Sequence, residues 1–241
     1  MNRVLAIAAV IGSTLLLIGS TSASAATSKR LQFDTCTNAD SIGWARGTDS
    51  PSDGNHQSLA SVVSSGGCAE AYSFRTTIEG KNVSDVRNLS FDYLASDSAG
   101  HGGAPRISVI MRDTNGTGDV HIAYLTGTPD KCGVPIVADP TWYRADFTGQ
   151  TAPGCTFYTS DNESYTSDGV NSAWQNFAAA HPDYQVVLAT DPIFGGGAGA
   201  GAFMVEDEAG NYHIDRLAIQ NLMFIRNKPQ YVQTCPTEAS C

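Results

Sequence analysis

The chain has 241 residues, with 24 acidic side chains against 14 basic ones, for a formal net charge of −10 at pH 7. A surface of that sign repels phosphate backbones and anionic lipid, so nucleic acid is a poor candidate partner. With 41% hydrophobic residues there is enough apolar side chain for a sizeable core, and single β domains commonly run to about 200–250 residues.

Residues 1–25 read as an export signal. Asn2 and Arg3 make a short polar, positive start, and Val4–Ile18 is apolar apart from Gly12, Ser13 and Thr14. Ala23-Ser24-Ala25 then supplies the small-x-small pattern that signal peptidase cuts. A membrane-spanning helix needs about 20 apolar residues, and this core is shorter. Cleavage after Ala25 is therefore expected, leaving a secreted chain without a membrane span. Loss of Arg3 takes the balance to 13 − 24 = −11. The rest divides into one β domain over 26–227 and a cysteine-containing tail over 228–241. No feature of the chain speaks to oligomeric state.

All six cysteines follow the signal, and an even number in an exported chain favours disulfides. There is no C-x-x-C pair to suggest zinc or a redox site. Nearest-neighbour pairing is expected: Cys36 with Cys68, Cys132 with Cys155, and Cys235 with Cys241.

Along the chain, short alternating or β-branched runs recur between Gly, Asn, Asp and Pro clusters. They are Ala71–Ile78, Val86–Leu94 with Leu89, Phe91 and Tyr93 on one face, Arg106–Arg112, Val120–Leu125 after the Asn115-Gly116 turn, Trp142–Phe147 and Tyr184–Thr190. Phe203–Val205 is expected to pair with Tyr212–Ile225 across the turn at Glu206–Asn211. One segment has helical spacing, with Val170, Ala173, Trp174, Phe177 and Ala178 on a stripe; Asp168 or Asn171 would cap its start and His181-Pro182 would end it. The pattern predicts an all-β fold, a two-sheet antiparallel β-sandwich or jelly roll, with one short helix near residues 170–180.

The order LSFDY, a glycine-rich loop, GAPRISV, WYRADF, a short Trp-containing helix, DYQVVL, a glycine loop and YHIDRLAIQN resembles secreted bacterial β-sandwich proteins. It is similar in outline to jelly-roll carbohydrate-binding modules over about residues 89–224. The resemblance implies a bacterial source and a polysaccharide or cell-envelope polymer as partner. It assigns no site residue, because likeness of fold does not locate a site.

Catalytic signatures are scarce. The chain contains no G-x-S-x-G, H-E-x-x-H or P-loop pattern. The glycine run at 195–201 precedes a strand rather than a helix, so it offers no helix terminus to a pyrophosphate. Glycoside hydrolysis needs two carboxyl groups about 5–9.5 Å apart, and Glu206 and Glu208 are the candidates, although they run into a turn where carboxylates are ordinarily solvated. Asp113, Asn115 and Asp119 place oxygens at intervals on a glycine-bent loop, which suits a structural calcium ion; the same residues also make an ordinary hairpin turn. His101 and Arg106, at a loop–strand junction, are candidates to recognise a polar or acidic ligand.

Sugar recognition relies on aromatic faces with a few polar groups alongside. Trp142 and Tyr143 are adjacent on a strand and must face opposite ways. Tyr158 and Tyr165 lie in a polar stretch and are the aromatics least easily explained by packing, whereas Trp174 shares its stripe with Phe177 and reads as core. The reading that follows is a secreted, non-catalytic module that binds carbohydrate or cell-envelope polymer. A jelly-roll glycoside hydrolase or lyase and a structural cell-surface protein are the alternatives.

Overall fold

The computed structural model describes residues 31–46, 57–72, 78–95, 104–116, 118–134, 141–149, 154–187, 202–206, 208–225 and 228–231. Residues 1–25, where an export signal is expected, and His101, Cys235 and Cys241 lie outside these residues. The described chain is mostly β, and its strands form two antiparallel sheets.

The eight-stranded sheet contains β1 (Gln32–Thr35), β4 (Ala69–Tyr72), β6 (Arg106–Asp113), β7 (Val120–Thr126), β9 (Phe157–Thr159), β10 (Ser164–Tyr165), β11 (Tyr184–Val186) and β12 (Ala202–Glu206). Its order is β1-β4-β12-β6-β7-β9-β10, with β11 pairing β6 beyond the end of β12. The seven-stranded sheet contains β2 (Ser41–Arg46), β3 (Gln57–Val63), β5 (Leu89–Ala95), β8 (Thr141–Asp146), β13 (Gly210–Ile219), β14 (Leu222–Ile225) and β15 (Lys228–Tyr231). Strand β13 is its spine, pairing β3 and then β14 with its two halves, and also β5, which continues to β8.

Alternation places the apolar side chains where a core needs them. Ile107, Val109 and Met111 of β6, Ala123 and Leu125 of β7, Phe157 of β9 and Met204 of β12 are buried in one cluster. Leu59 of β3, Leu89, Phe91 and Tyr93 of β5, and Tyr212, Ile214, Leu217 and Ile219 of β13 belong to the same cluster. The expected common face of Leu89, Phe91 and Tyr93 is therefore the core face, at 0% exposure.

The hairpin expected at Asn115-Gly116 joins β6 to β7. The pairing expected between Phe203–Val205 and the Tyr212–Ile225 segment is not formed. β12 is held between β4 and β6, while β13 belongs to the other sheet, so the two strands are not partners. Alternation specifies which side chains share a face and not which strand pairs with which, so a crossover and a hairpin look alike in sequence. The hairpin in this region is β13–β14, turning at Gln220-Asn221, where Gln220 has φ +57°.

Helix α2 spans Ala173–Ala180, shorter than expected at its start. Ser172 caps it, accepting from the Gln175 amide, while the Gln175 side chain accepts from the Ser172 amide. This reciprocal cap satisfies two otherwise orphan donors and outcompetes Asp168 and Asn171 for the role. Asp168 instead accepts from the amides of Val170 and Asn171 in the preceding turn, leaving Val170 72% exposed. Trp174 and Phe177 are core, and the Trp174 indole donates to the Val83 carbonyl at 2.8 Å. A second helical turn, α1 (Pro129–Cys132), was not legible in the sequence.

Cys36–Cys68 and Cys132–Cys155 are disulfides, as the nearest-neighbour pairing predicts. The first closes a loop organised by Asp40. Its carboxylate accepts from the amide and hydroxyl of Thr37, the amide and hydroxyl of Ser64, and the amide of Cys68. A Cβ on Gly67 would meet Asp40 Oδ1 at 2.3 Å, so this position must stay glycine.

The Ser64 hydroxyl and amide, with Thr37 and Cys68, hold the Asp40 carboxyl well below the usual carboxylate range. Ionised Asp40 thus adds stability above the unfolded-state value of about 4, and the increment is lost as pH falls through the lower folded value. Asp40→Asn is expected to flatten the acid limb of the stability–pH curve below about pH 4. Thermal unfolding across that range reads this directly, and an acid limb as steep as the parent's would refute it.

Candidate functional site

The face of the eight-stranded sheet turned away from the core carries a row of tyrosines. Register sets Tyr72 of β4 opposite Phe203 of β12, Phe203 opposite Ser108 of β6, Ser108 opposite Tyr124 of β7, and Tyr124 opposite Tyr158 of β9. Five strands thus contribute one residue each to a single line across the sheet. At about 4.8 Å between strands, Tyr72 and Tyr158 stand roughly 19 Å apart.

Why these tyrosines face outward follows from their neighbours. On β7, Ala123 and Leu125 enter the core, so Ile122 and Tyr124 must take the other side. On β9, Phe157 and Thr159 are buried and Tyr158 between them is 40% exposed. Ile110 and Ile122 form a small buried cluster against which Tyr72 and Tyr124 pack, half-buried. Ser108, between Tyr124 and Phe203 in register, is fully buried.

Two cations sit against this row. The Arg106 guanidinium lies over the Tyr124 ring, 5.3 Å from its centroid, and the Lys131 ammonium over the Tyr158 ring at 5.1 Å. Arg106 is 7% exposed, and its Nε donates to Ser108 Oγ at 3.3 Å. Lys131 is carried by α1 and paired with Asp130 at 3.4 Å. At the other end, burial, with Asp34 and Glu70 nearby, raises the Tyr72 phenol above its usual value, so it stays a neutral donor. The face therefore combines flat rings, fixed cations and neutral hydroxyls, a set suited to stacking and hydrogen bonding with a polyhydroxylated ligand.

Of the residues singled out from the sequence, Arg106 and Tyr158 are brought together here through Tyr124. Tyr143 points the other way: it packs edge-on to Tyr93 at 5.6 Å, and its hydroxyl donates to the Gly127 carbonyl. Burial pushes its phenol up. Trp142, its neighbour on β8, is half-buried on the opposite face of the seven-stranded sheet.

Tyr165 lies at the rim of the core, stacked on Phe157 at 5.6 Å and edge-on to Phe177 at 5.2 Å. Its hydroxyl donates to Glu163 Oε2 at 2.9 Å and lies 2.8 Å from His181 Nε2, which is itself 2.7 Å from Glu163. Burial, reinforced by Glu163, pushes the Tyr165 phenol up to about 12. Beside this group Tyr184 packs against two imidazoles, His181 at 4.5 Å and His121 at 4.7 Å, and His121 is held by Asp161 at 2.6 Å. This arrangement locks the β9–β10 turn to α2 and β11.

Asp113 Oδ1 accepts from the amides of Asn115 and Gly116 at 2.9 and 3.0 Å, so this carboxylate closes the β6–β7 turn; Asn115 and Asp119 are exposed in the same loop. Among the described residues no group of three or more His, Cys, Asp or Glu is placed to hold a metal ion. Glu206 ends β12 with its side chain outside the described set, and Glu208 is half-buried, its carbonyl accepting from the Tyr212 hydroxyl at 2.8 Å.

Tyr72, Tyr124 and Lys131 were missed in the sequence. Tyr124 sits in VHIAYL, where both alternating faces are apolar, so periodicity alone does not choose the inner one. Among the described residues no helix is long and apolar enough to cross a membrane. No protein-family model, curated protein or solved structure matches the chain.

Proposed function

We propose that the protein is a secreted, non-catalytic β-sandwich of the jelly-roll kind that binds carbohydrate or a cell-envelope polymer across the tyrosine-bearing face. The observation that carries this reading is the cross-strand row of Tyr72, Tyr124 and Tyr158, with Arg106 and Lys131 against its rings. A row spanning roughly 19 Å is long enough for several sugar rings, so a chain lying across the strands is the ligand it suits. The signal pattern of residues 1–25 and the two disulfides are consistent with an exported protein.

The test is retention on native gels cast with soluble polysaccharides, followed by calorimetric titration with whichever retards the protein. An aromatic contact contributes about 0.5–1.5 kcal/mol, so Tyr124→Ala and Tyr158→Ala should each weaken binding about two- to tenfold. Folded parent protein that none of the polysaccharides retards, or a Tyr124→Ala/Tyr158→Ala double variant that binds as well as the parent, would sink the reading.

A further inference from the structure

The outward face of the seven-stranded sheet carries a trough. β2 sets Ser41 and Gly43 opposite Val62 and Ala60 of β3, and β13 sets Asn211 and His213 opposite the same two residues. Gly43 and Ala60 are too small to fill their share of the face. A Cβ built on Gly43 would meet nothing within 4 Å. A cavity of about 510 Å³ opens at this place, lined by Ser41, Gly43, Ala60, Val62, Asn211 and His213 among others, and its volume falls within the range of about 300–1,000 Å³ usual for small-ligand sites.

The row continues beyond His213. Ile214 pairs with Tyr93, which sets His213 level with Leu94, and Leu94 pairs with Trp142 of β8. Trp142 thus stands on the same face, two strand spacings or about 10 Å from His213.

The neighbouring row is polar and internally balanced. The Asp92 carboxylate, its side chain 2% exposed, accepts from Arg144 Nη1 at Oδ1 (3.0 Å) and from Arg216 Nε at Oδ2, while Arg144 Nη2 donates to Ser90 Oγ at 2.6 Å. Asp215, buried and paired in register with Asp92, brings this row to two carboxylates and two guanidiniums. Arg216 lies at the β-bulge between Asp215 and Ala218 with φ +45°, a left-handed conformation uncommon for a residue other than glycine. His213 Nδ1 lies 3.2 Å from Ser58 Oγ, and burial holds the imidazole below its ordinary value, so it is neutral at neutral pH.

We propose that this trough is a second ligand site, on the opposite sheet from the tyrosine row, and that it takes a neutral sugar unit of one or two rings. The glycine–alanine floor admits the ring. Ser41, Asn211 and the neutral His213 offer donors and acceptors, and the balanced Asp92 row presents no net charge to attract an ion. The site stands independently of the tyrosine face.

Gly43→Val places a branched side chain into open space in a strand that favours β-branched residues, so the fold is kept while the trough is filled. The experiment is an amide-resolved NMR titration of the parent, Gly43→Val, the smaller Gly43→Ala and Tyr158→Ala with methyl glucoside, galactoside, mannoside and N-acetylglucosaminide. The expected result is that at least one glycoside shifts the amides of Gly43, Ala60, Asn211 and His213 in the parent and in Tyr158→Ala. Binding should fall about tenfold or more in Gly43→Val and by less in Gly43→Ala. No shift at those amides with any of the glycosides, or shifts of equal affinity in Gly43→Val, would overturn the proposal. Neither result depends on polysaccharide binding by the tyrosine face, which Tyr158→Ala reports separately.

Discussion

Phe157→Ala is expected to lower the free energy of unfolding by about 3–5 kcal/mol, the cost of emptying a fully buried aromatic site. Phe157 is 0% exposed and touches four rings: Phe147 at 6.3 Å, Tyr165 at 5.6 Å, Trp174 at 5.9 Å and Phe177 at 5.7 Å between centroids. It is the point at which β9, α2 and the loop after β8 meet. The strand that carries it has only three residues, so little backbone pairing compensates for lost packing. Phe157→Leu keeps most of the volume and should cost less than about 1.5 kcal/mol. Urea unfolding followed by tryptophan fluorescence measures both, since Trp174 reports from within the cluster. A loss under about 1 kcal/mol for the alanine variant would show that the cluster is not packed as described. If the tyrosine face binds polysaccharide as proposed, the same change should weaken that binding, because Tyr158 is the next residue along β9.

Reduction of the two disulfides is expected to have the largest effect. Cys36 and Cys68 are 32 residues apart, and Cys132 and Cys155 are 23 apart. Loops of that size confine the unfolded chain by about 3–4 kcal/mol each on the chain-entropy account. Together they approach about 7 kcal/mol, comparable with the whole stability of about 5–15 kcal/mol typical of folded proteins. Melting with and without a phosphine reductant should therefore show a large fall in Tm, and each Cys→Ser pair alone roughly half of it. An unchanged Tm in fully reduced protein would refute the account. The two bridges differ in consequence. Cys36–Cys68 ties the end of β1 to the start of β4, beside the Asp40 loop. Cys132–Cys155 ties α1 to the chain entering β9, and so holds Lys131 over Tyr158. Loss of the second should loosen the tyrosine face, and loss of the first should leave it nearly intact.

Local patterns were the legible part of this protein. Val120–Leu125 after Asn115-Gly116 could be read as a hairpin strand because turn chemistry and alternation are written within a few residues. Leu89, Phe91 and Tyr93 announced a buried face for the same reason. The α2 stripe was readable, but its start was misplaced by a few residues, since Ser172 wins the cap only when Gln175 answers it. β1, β2, β3, β9, β10 and β15 went unread: they are short or weakly apolar, and β2 carries glycine and alanine where a strand would ordinarily show bulk.

From its residues alone, this chain determined its acidic charge and a mainly antiparallel β character; which cysteines pair was settled by the fold, which joins Cys36 to Cys68 and Cys132 to Cys155. The charge and the β character depend on composition and on neighbours close along the chain. Which strands lie side by side was decided only in three dimensions. Register brought Tyr72, Tyr124 and Tyr158 from distant segments into one row, and set Gly43 beside Ala60 and His213. A period of two tells each side chain which face to take, but it carries no information about the strand across the way.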